Sequence, residues 1–294
     1  MSVLVFVLMR LAPGDPAVVR LGMEATREQV EGERRALGLD KPIFVQYGIW
    51  VKNLVRGDLG VAFLNNQPVG PLVMEKFKRT IPLALAALFL AVVTAIPLGI
   101  IAGIRPYTWT DNIVSAVSLF GVSAPNFWVG LMLILFFSVQ LGWLPTFGYG
   151  PPGGDFEFKY LILPSVTLAT SLMGSLTRYM RSGMLDVMTS DYIRTAHAKG
   201  LRYRIVVLRH GLKNALLSVV TVLVLDMAGL LGGAALTETV FGYAGVGSLL
   251  VTSILGRDYH IVQAVVMLMA VVYVLLNLIA DILYAYLDPR IRYD

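Results

Sequence analysis

Two carboxylates interrupt otherwise apolar runs: Asp226 in VLVLDMAGLLGG and Asp281 in LIADILYAYLDPR. An ionisable side chain in such a run is costly to keep there and marks a functional candidate. Asp281 lies near the end of its run, where it can reach an interface or pair with Arg290. Asp226 lies nearer the middle and is the candidate for a translocation pathway, the alternative being a hydrogen bond in helix packing or in a pore wall. The three histidines, His197, His210 and His260, lack the spacing of ligands on one helix turn, and HExxH is absent, so no metal site is expected. The chain has no GxxxxGK[ST] to cradle phosphates. Ser123 in GVSAP lacks the second glycine of a GxSxG elbow and a histidine partner. Cysteine is absent, which excludes disulfides, iron–sulfur ligation and zinc–thiolate sites. No residue is expected to be catalytic, and no cofactor is expected on this chain.

The remaining chemistry is concentrated charge. The chain is 56% hydrophobic and 15% charged, yet residues 192–216 read YIRTAHAKGLRYRIVVLRHGLKNAL. Between 178 and 213 stand Arg178, Arg181, Arg194, Lys199, Arg202, Arg204, Arg209 and Lys213, against only Asp186 and Asp191. Within this segment Ala196 and Gly200 are four apart and form a small-residue notch on a helix, with Thr195 and Lys199 on an adjoining strip. Gly200 is the natural helix stop, because glycine accepts positive φ at low cost. The pattern predicts a short helix, a glycine break, and a second amphipathic helix running into an apolar run. A helix lying on lipid headgroups needs a bulky apolar face, whereas RTAHAKG offers Thr, Ala and Gly, so a protein groove is the better match. No interleaved basic and aromatic face suited to nucleic acid is present.

The elements that hold these residues are long apolar runs. Mean hydropathy is +0.71, and residues 81–104 contain no charged side chain. At ~1.5 Å per residue such a run makes a helix of roughly 36 Å, enough to cross a ~30 Å hydrocarbon core. Residues 113–140, 215–237 and 261–287 pass the same test, with 161–177 at its short limit. The fold class is therefore an all-α integral membrane protein in a lipid bilayer. Gly99 with Gly103, and Gly229 with Gly233, are spaced for close helix packing. Pro97 and Pro125 sit inside spans, which needs compensation from neighbours or an aqueous cavity. The glycines of the 237–259 loop (Gly242, Gly245, Gly247) allow a re-entrant or gate-flanking element.

Loop charge sets orientation. The excess of Lys and Arg puts 178–213 and the C-terminus, with Arg290 and Arg292, in the cytoplasm. The 12–80 segment is then extracytoplasmic despite its ten basic residues, since long loops follow the rule poorly. Lys76, Lys78 and Arg79 beside a span are a local exception. The N-terminal MSVLVFVLMR is too short to span and lacks a basic leader and a cleavage site. It reads as a truncated first span or a membrane-edge helix. The resulting division is 1–11 as a remnant of the first span, 12–80 extracytoplasmic, 81–287 as a five-span core with the loop 178–213, and 288–294 as a cytoplasmic tail.

DYIRTAHAKGL at 191–201 resembles the cytoplasmic EAA loop of ATP-binding-cassette importer permeases, and more closely the DYVRTARAKGL form of the dipeptide/oligopeptide/nickel importer family. The Glu-Ala-Ala positions are here Arg194, Thr195 and Ala196, followed by Gly200. Of the later Ile-x-Leu-Pro element, His210-Gly211-Leu212-Lys213 keeps only the leucine. Further stretches resemble the family in order: LAPGDPA, LGLDKPIFVQY, RGDLG, FWVGLMLILFFSVQLGWLPTFGY, LILPSVTLA, LTETVFGYAGVGSLL and LDPRIRYD.

This resemblance implies a type I importer fold with six spans, the first truncated here, in a prokaryotic inner membrane. It implies a permease subunit forming half of a channel for peptides or similar solutes. The implied partners are a second homologous permease, two ATPase subunits carrying the ATP and magnesium, and an extracytoplasmic substrate-binding protein. Tyr192, Arg194, Thr195, Ala196, His197, Lys199 and Gly200 would form the ATPase-coupling surface, with Ala196 and Gly200 acting through their small size. The alternative is a secondary, ion-coupled transporter, which would call for more ionisable groups and an inverted repeat.

Overall fold

The computed structural model describes residues 2–11, 15–22, 25–63, 66–151 and 156–287. The tail 288–294, with Arg290 and Arg292, and residues 12–14 of LAPGDPA lie outside them. In chain order the helices are α1 (Ser2–Leu11), α2 (Pro16–Leu21), α3 (Arg27–Ala36), α4 (Ile43–Val55), α5 (Val69–Ile104), α6 (Trp109–Ser123) and α7 (Asn126–Leu133, continued by a π-helical segment Ile134–Gln140). There follow α8 (Lys159–Met188), α9 (Asp191–Ala198), α10 (Tyr203–Ile205, continued by a π-helical segment Val206–Gly211), α11 (Leu212–Val240), α12 (Val246–Leu255) and α13 (Tyr259–Leu287). The described residues contain no strand, only an isolated antiparallel bridge between Val61 and Pro68. Among the described residues three helices are long and apolar enough to cross a membrane, α5, α8 and α13, or four if the bent pair of α6 and α7 counts as one span. Helix α11 covers the expected 215–237 span.

The chain divides into two compact units, residues 1–80 with 244–273, and residues 81–243 with 274–294. The first unit carries α1–α4, the opening turns of α5, α12 and the first half of α13. Its apolar centre gathers Ala62, Val69, Val73, Val246, Ile261 and Val265. Buried Asp258 joins two parts of it: one oxygen accepts from the Ile261 amide at the start of α13 and the other from Phe63 N at 2.6 Å. Thr80 Oγ1 accepts from Val246 N at 2.9 Å, holding the start of α12. The region read as a glycine-rich loop over 237–259 thus contains a ten-residue helix that starts after Gly245 and ends at Gly256.

The second unit is arranged around α8, which packs against α6, α7 and α11. Its contacts are close because glycines remove the side chains that would separate the axes. A Cβ added at Gly99 would lie 2.5 Å from Met180 Cβ, and one at Gly103 2.6 Å from Met184 Cβ. The expected Gly99–Gly103 pair is therefore the seat of α8 on α5. The Gly229–Gly233 pair is not confirmed as a packing site, since Gly229 is exposed and a Cβ there would meet open space. The side-chain environment of Gly233 lies outside the described residues.

Three boundaries differ from the sequence expectation. The run 113–140 is not one straight span but two helices bent by 104°. Pro125 lacks an N–H and forces Ala124 out of the helical region, to φ −72 and ψ 129. Helix α5 begins at Val69 rather than 81, so Lys76, Lys78 and Arg79 are helical, and Arg79 pairs with Glu75 one turn away at 2.6 Å. Helix α8 continues to Met188, so Arg178 and Arg181 project from a long helix and the basic loop begins only at Thr189.

Candidate functional site: the α8–α11 connection and the Asp226 cavity

The connection between α8 and α11 is built as the residues suggest. Ser190 ends α8 by donating its hydroxyl to Val187 O at 2.6 Å, and α9 starts at Asp191. Two residues of α9 turn inward: Ile193 and Ala196 are buried with Val206 against Val187 and Met188. The outer face carries Tyr192, Arg194, Thr195, His197 and Lys199. Arg194 is 78% exposed, and its contact with Asp191 at 3.5 Å is a surface pair one turn apart of little energetic weight. His197 stacks on Tyr203 with ring centroids 6.0 Å apart. The Tyr192 hydroxyl accepts from Asn214 Nδ2 at 2.8 Å, tying the start of α9 to the base of α11.

Helix α9 ends in a Schellman turn. Gly200, at φ +76, donates to His197 O at 2.9 Å, and Leu201 N donates to Ala196 O at 3.4 Å. Two of the seven expected coupling residues therefore act differently from the small-notch reading. Ala196 is occupied by the chain's own packing, where its size sets how closely α9 lies on the α8 end. Gly200 is exposed, and a Cβ there would meet nothing within 4 Å. Glycine is needed there for its backbone conformation, not for space within this chain.

Beyond Gly200, α10, a π-helical segment and α11 follow without interruption. Helix α9 thus touches the ends of two long helices, α8 at Met188 and α11 at Asn214.

Asp226 occupies a different place, on α11 inside the second unit. It lines a cavity of ≈330 Å³ with Asn126, Ser171, Ser175 and Gly229. Its Oδ2 is buried with no hydrogen-bond partner among the described residues. The structure does not bring Asp226 together with α9. Asp281 is exposed on α13, and its expected partner Arg290 lies outside the described residues. Among the described residues no cluster of three or more His, Asp or Glu is arranged to hold a metal.

One buried ion pair escaped the sequence reading. Asp111, only 2% exposed near the start of α6, receives a bidentate bond from Arg181 of α8, with Nη2 to Oδ2 at 2.8 Å. It also accepts from Tyr107 N at 2.9 Å and from the Ser115 hydroxyl. Its signal was the T-W-T-D spacing: Thr108 caps α6 by accepting from Asp111 N, so Asp111 lies in the first helical turn and not in a loop.

Comparison with known proteins accords with this architecture. Residues 95–293 match the family "Binding-protein-dependent transport system inner membrane component", and residues 1–84 match its N-terminal membrane component. The chain is 42% identical to the oligopeptide transport system permease protein AppB of Bacillus subtilis, over 99% of this chain and 94% of that protein. It is 40% identical to the glutathione transport system permease protein GsiC of Escherichia coli K12, over 99% and 94%. It is 38% identical to the dipeptide transport system permease protein DppB of Alkalihalophilus pseudofirmus, over 100% and 95%. Among solved structures, an inward-facing MetNI methionine ABC transporter chain superposes with a TM-score of 0.63 at 19% identity, over 76% of this chain and 99% of that one. A chain of an amino acid ABC transporter gives 0.53 at 14% identity, over 75% and 94%. Those likenesses show the type I importer membrane fold. The chain belongs to the family of binding-protein-dependent transport system inner membrane components and is a permease subunit rather than an enzyme.

Proposed function

We propose that this permease forms one half of the translocation channel of an ATP-driven importer for short peptides or glutathione-like solutes, with α9 as the docking element for a separate ATPase subunit. The observation that carries this reading is the division of labour on α9. One face, Ile193 and Ala196, is packed into the permease, and the other presents Arg194, His197 and Lys199 outward. A helix so fixed on one side and free on the other can transmit a push from a partner into α8 and α11. Its basic outer face suits an acidic groove. In this reading α9 and the C-terminus face the cytoplasm. The remaining partners are a second, related permease and an extracytoplasmic binding protein. ATP and magnesium reside on the ATPase subunits. The relatives named for oligopeptide, glutathione and dipeptide transport support the solute class.

The test uses the reconstituted complex, with binding protein and a panel of dipeptides, longer peptides and glutathione. At least one member of the panel is expected to stimulate ATP hydrolysis and to be taken up. Gly200→Ala is expected to lower stimulated hydrolysis several-fold, because a Cβ in the left-handed region costs about 1–2 kcal/mol and loosens the turn. Gly200→Asn, which tolerates that region, is expected to retain most activity although it is larger. Equal losses for Ala and Asn would return Gly200 to a role set by size, and no stimulation by any solute would refute the importer reading.

A further inference from the structure

Helix α8 carries a polar stripe that nothing in the packing explains. Ser171, Ser175, Arg178 and Ser182 recur at intervals of four, three and four residues, so they share one face of the helix. Toward Lys159 this face borders the Asp226 cavity. Toward Met188 it borders a second cavity of ≈650 Å³, lined by Ser115, Tyr179 and Arg181 as well as Arg178 and Ser182. Ser175 and Val122 line both cavities, so the two form one trough along α8 with the stripe as its floor.

The trough has a charge at each end of its central part. Asp226 keeps one carboxylate oxygen buried and without a partner among the described residues. Arg178 is exposed and makes no ion pair among the described residues, whereas its neighbour Arg181 is engaged by Asp111. A buried carboxylate oxygen without a partner is costly unless water or a cationic ligand reaches it, and an exposed guanidinium without an ion pair is available to a ligand of opposite charge. Ser175, which lines the cavity with Asp226, and Arg178 are three residues apart, about 4.5 Å along the helix axis. An extended peptide advances about 3.5 Å per residue, so a solute of about one to three residues can bridge the two.

We propose that this trough is a solute-contact site of the channel wall, in which Asp226 receives the ammonium end and Arg178 the carboxylate end of a short zwitterion while the stripe serines bond its peptide groups. The proposal rests on the channel reading above and adds to it a place, a polarity and a length limit.

The chain has no cysteine, so single cysteines at 171, 175 and 182 can be read without a background from this subunit. The assembled complex in vesicles carries Ser171→Cys, Ser175→Cys or Ser182→Cys. Each is labelled with a cationic (trimethylammonium) and an anionic (sulfonate) methanethiosulfonate, with Tyr107→Cys, 91% exposed between α5 and α6, as the aqueous reference and Phe89→Cys, 66% exposed on α5, as the apolar-face reference. All three stripe positions are expected to react within about tenfold of Tyr107→Cys. The cationic reagent should lead at 171 and the anionic one at 182, each preference falling at least threefold in Asp226→Asn and Arg178→Gln respectively. A transported dipeptide should slow labelling at 175. Stripe cysteines as slow as Phe89→Cys, or labelled without charge preference, would overturn the proposal. Peptide uptake by the complex with the unaltered chain is measured in the same vesicles. Its absence would refute the importer reading by itself, whereas uptake with an unreactive stripe would refute only the trough.

Discussion

Replacing Gly174 with leucine is expected to prevent the second unit from assembling. Helix α6 crosses α8 at Gly121 and Gly174, and a Cβ at 174 would overlap the Ser118 carbonyl oxygen and come within 3.0 Å of Val122 N. Both obstacles are backbone atoms and cannot rotate away, so the helices must part along their whole contact. Overpacking a core typically costs about 1–3 kcal/mol, and a clash with backbone belongs at or above the upper end. In lipid, where close packing supplies much of helix association, that loss should appear as aggregated or degraded protein in size-exclusion chromatography of the detergent-solubilised chain. Gly174→Ala meets the same oxygen and is expected to lower the melting temperature measurably. Gly229→Ala is the contrast: it faces open space, and alanine is the better helix former by about 1 kcal/mol, so stability should hold or rise. Equal damage from both alanine substitutions would contradict the packing account.

Asp111→Ala is expected to be nearly as harmful, for an electrostatic reason. The carboxylate is buried and takes both arms of the Arg181 fork, so its removal leaves a guanidinium 27% exposed and uncompensated. Removing one partner of a buried pair costs about 3–5 kcal/mol, and the partial exposure of Arg181 points to about 3. The same contact fastens the start of α6 to α8 one helical turn from Arg178, so the loss should also be felt in transport. Removing both charges in Asp111→Ala/Arg181→Ala should be less destabilising than Asp111→Ala alone, because no charge is left stranded. Lysine at 181 should restore little, since it cannot form the bidentate bond. A double variant as unstable as the sum of the singles would show that the two residues act independently.

What could be read from the sequence follows from which physical signal each feature leaves. Apolar length is local and additive, so the runs at 81–104, 161–177, 215–237 and 261–287 each fall within a long helix. The break at Pro125 was visible as a residue, but its consequence was not. A proline can sit within one continuous helix, as Pro97 does in α5, or split a span, as here, and the choice depends on what surrounds it. The helix, glycine stop and second helix of 191–216 were legible because Gly200 and the inward period of Ile193 and Ala196 are local signals. The partition of that surface was not. Whether Ala196 faces a partner or its own chain depends on Val206 and Met188, which come from other elements. Asp111 was missed for a related reason. Its partner is 70 positions away, and a carboxylate beside a turn looks like any loop charge until the helix cap at Thr108 is recognised.

A single cross-link tests whether α9 joins this permease to an ATPase. His197 lies on the outer face, stacked on Tyr203 and clear of the packing that holds Ile193 and Ala196. His197→Cys in the naturally cysteine-free chain would be assembled with ATPase subunits carrying one cysteine in the surface groove, and oxidised with and without ATP. A disulfide between the two chains whose yield changes with ATP is the predicted result. An ATPase that co-purifies but never cross-links, with the cysteine labelled instead by a lipid-soluble maleimide, would contradict it and make α9 a membrane-surface helix.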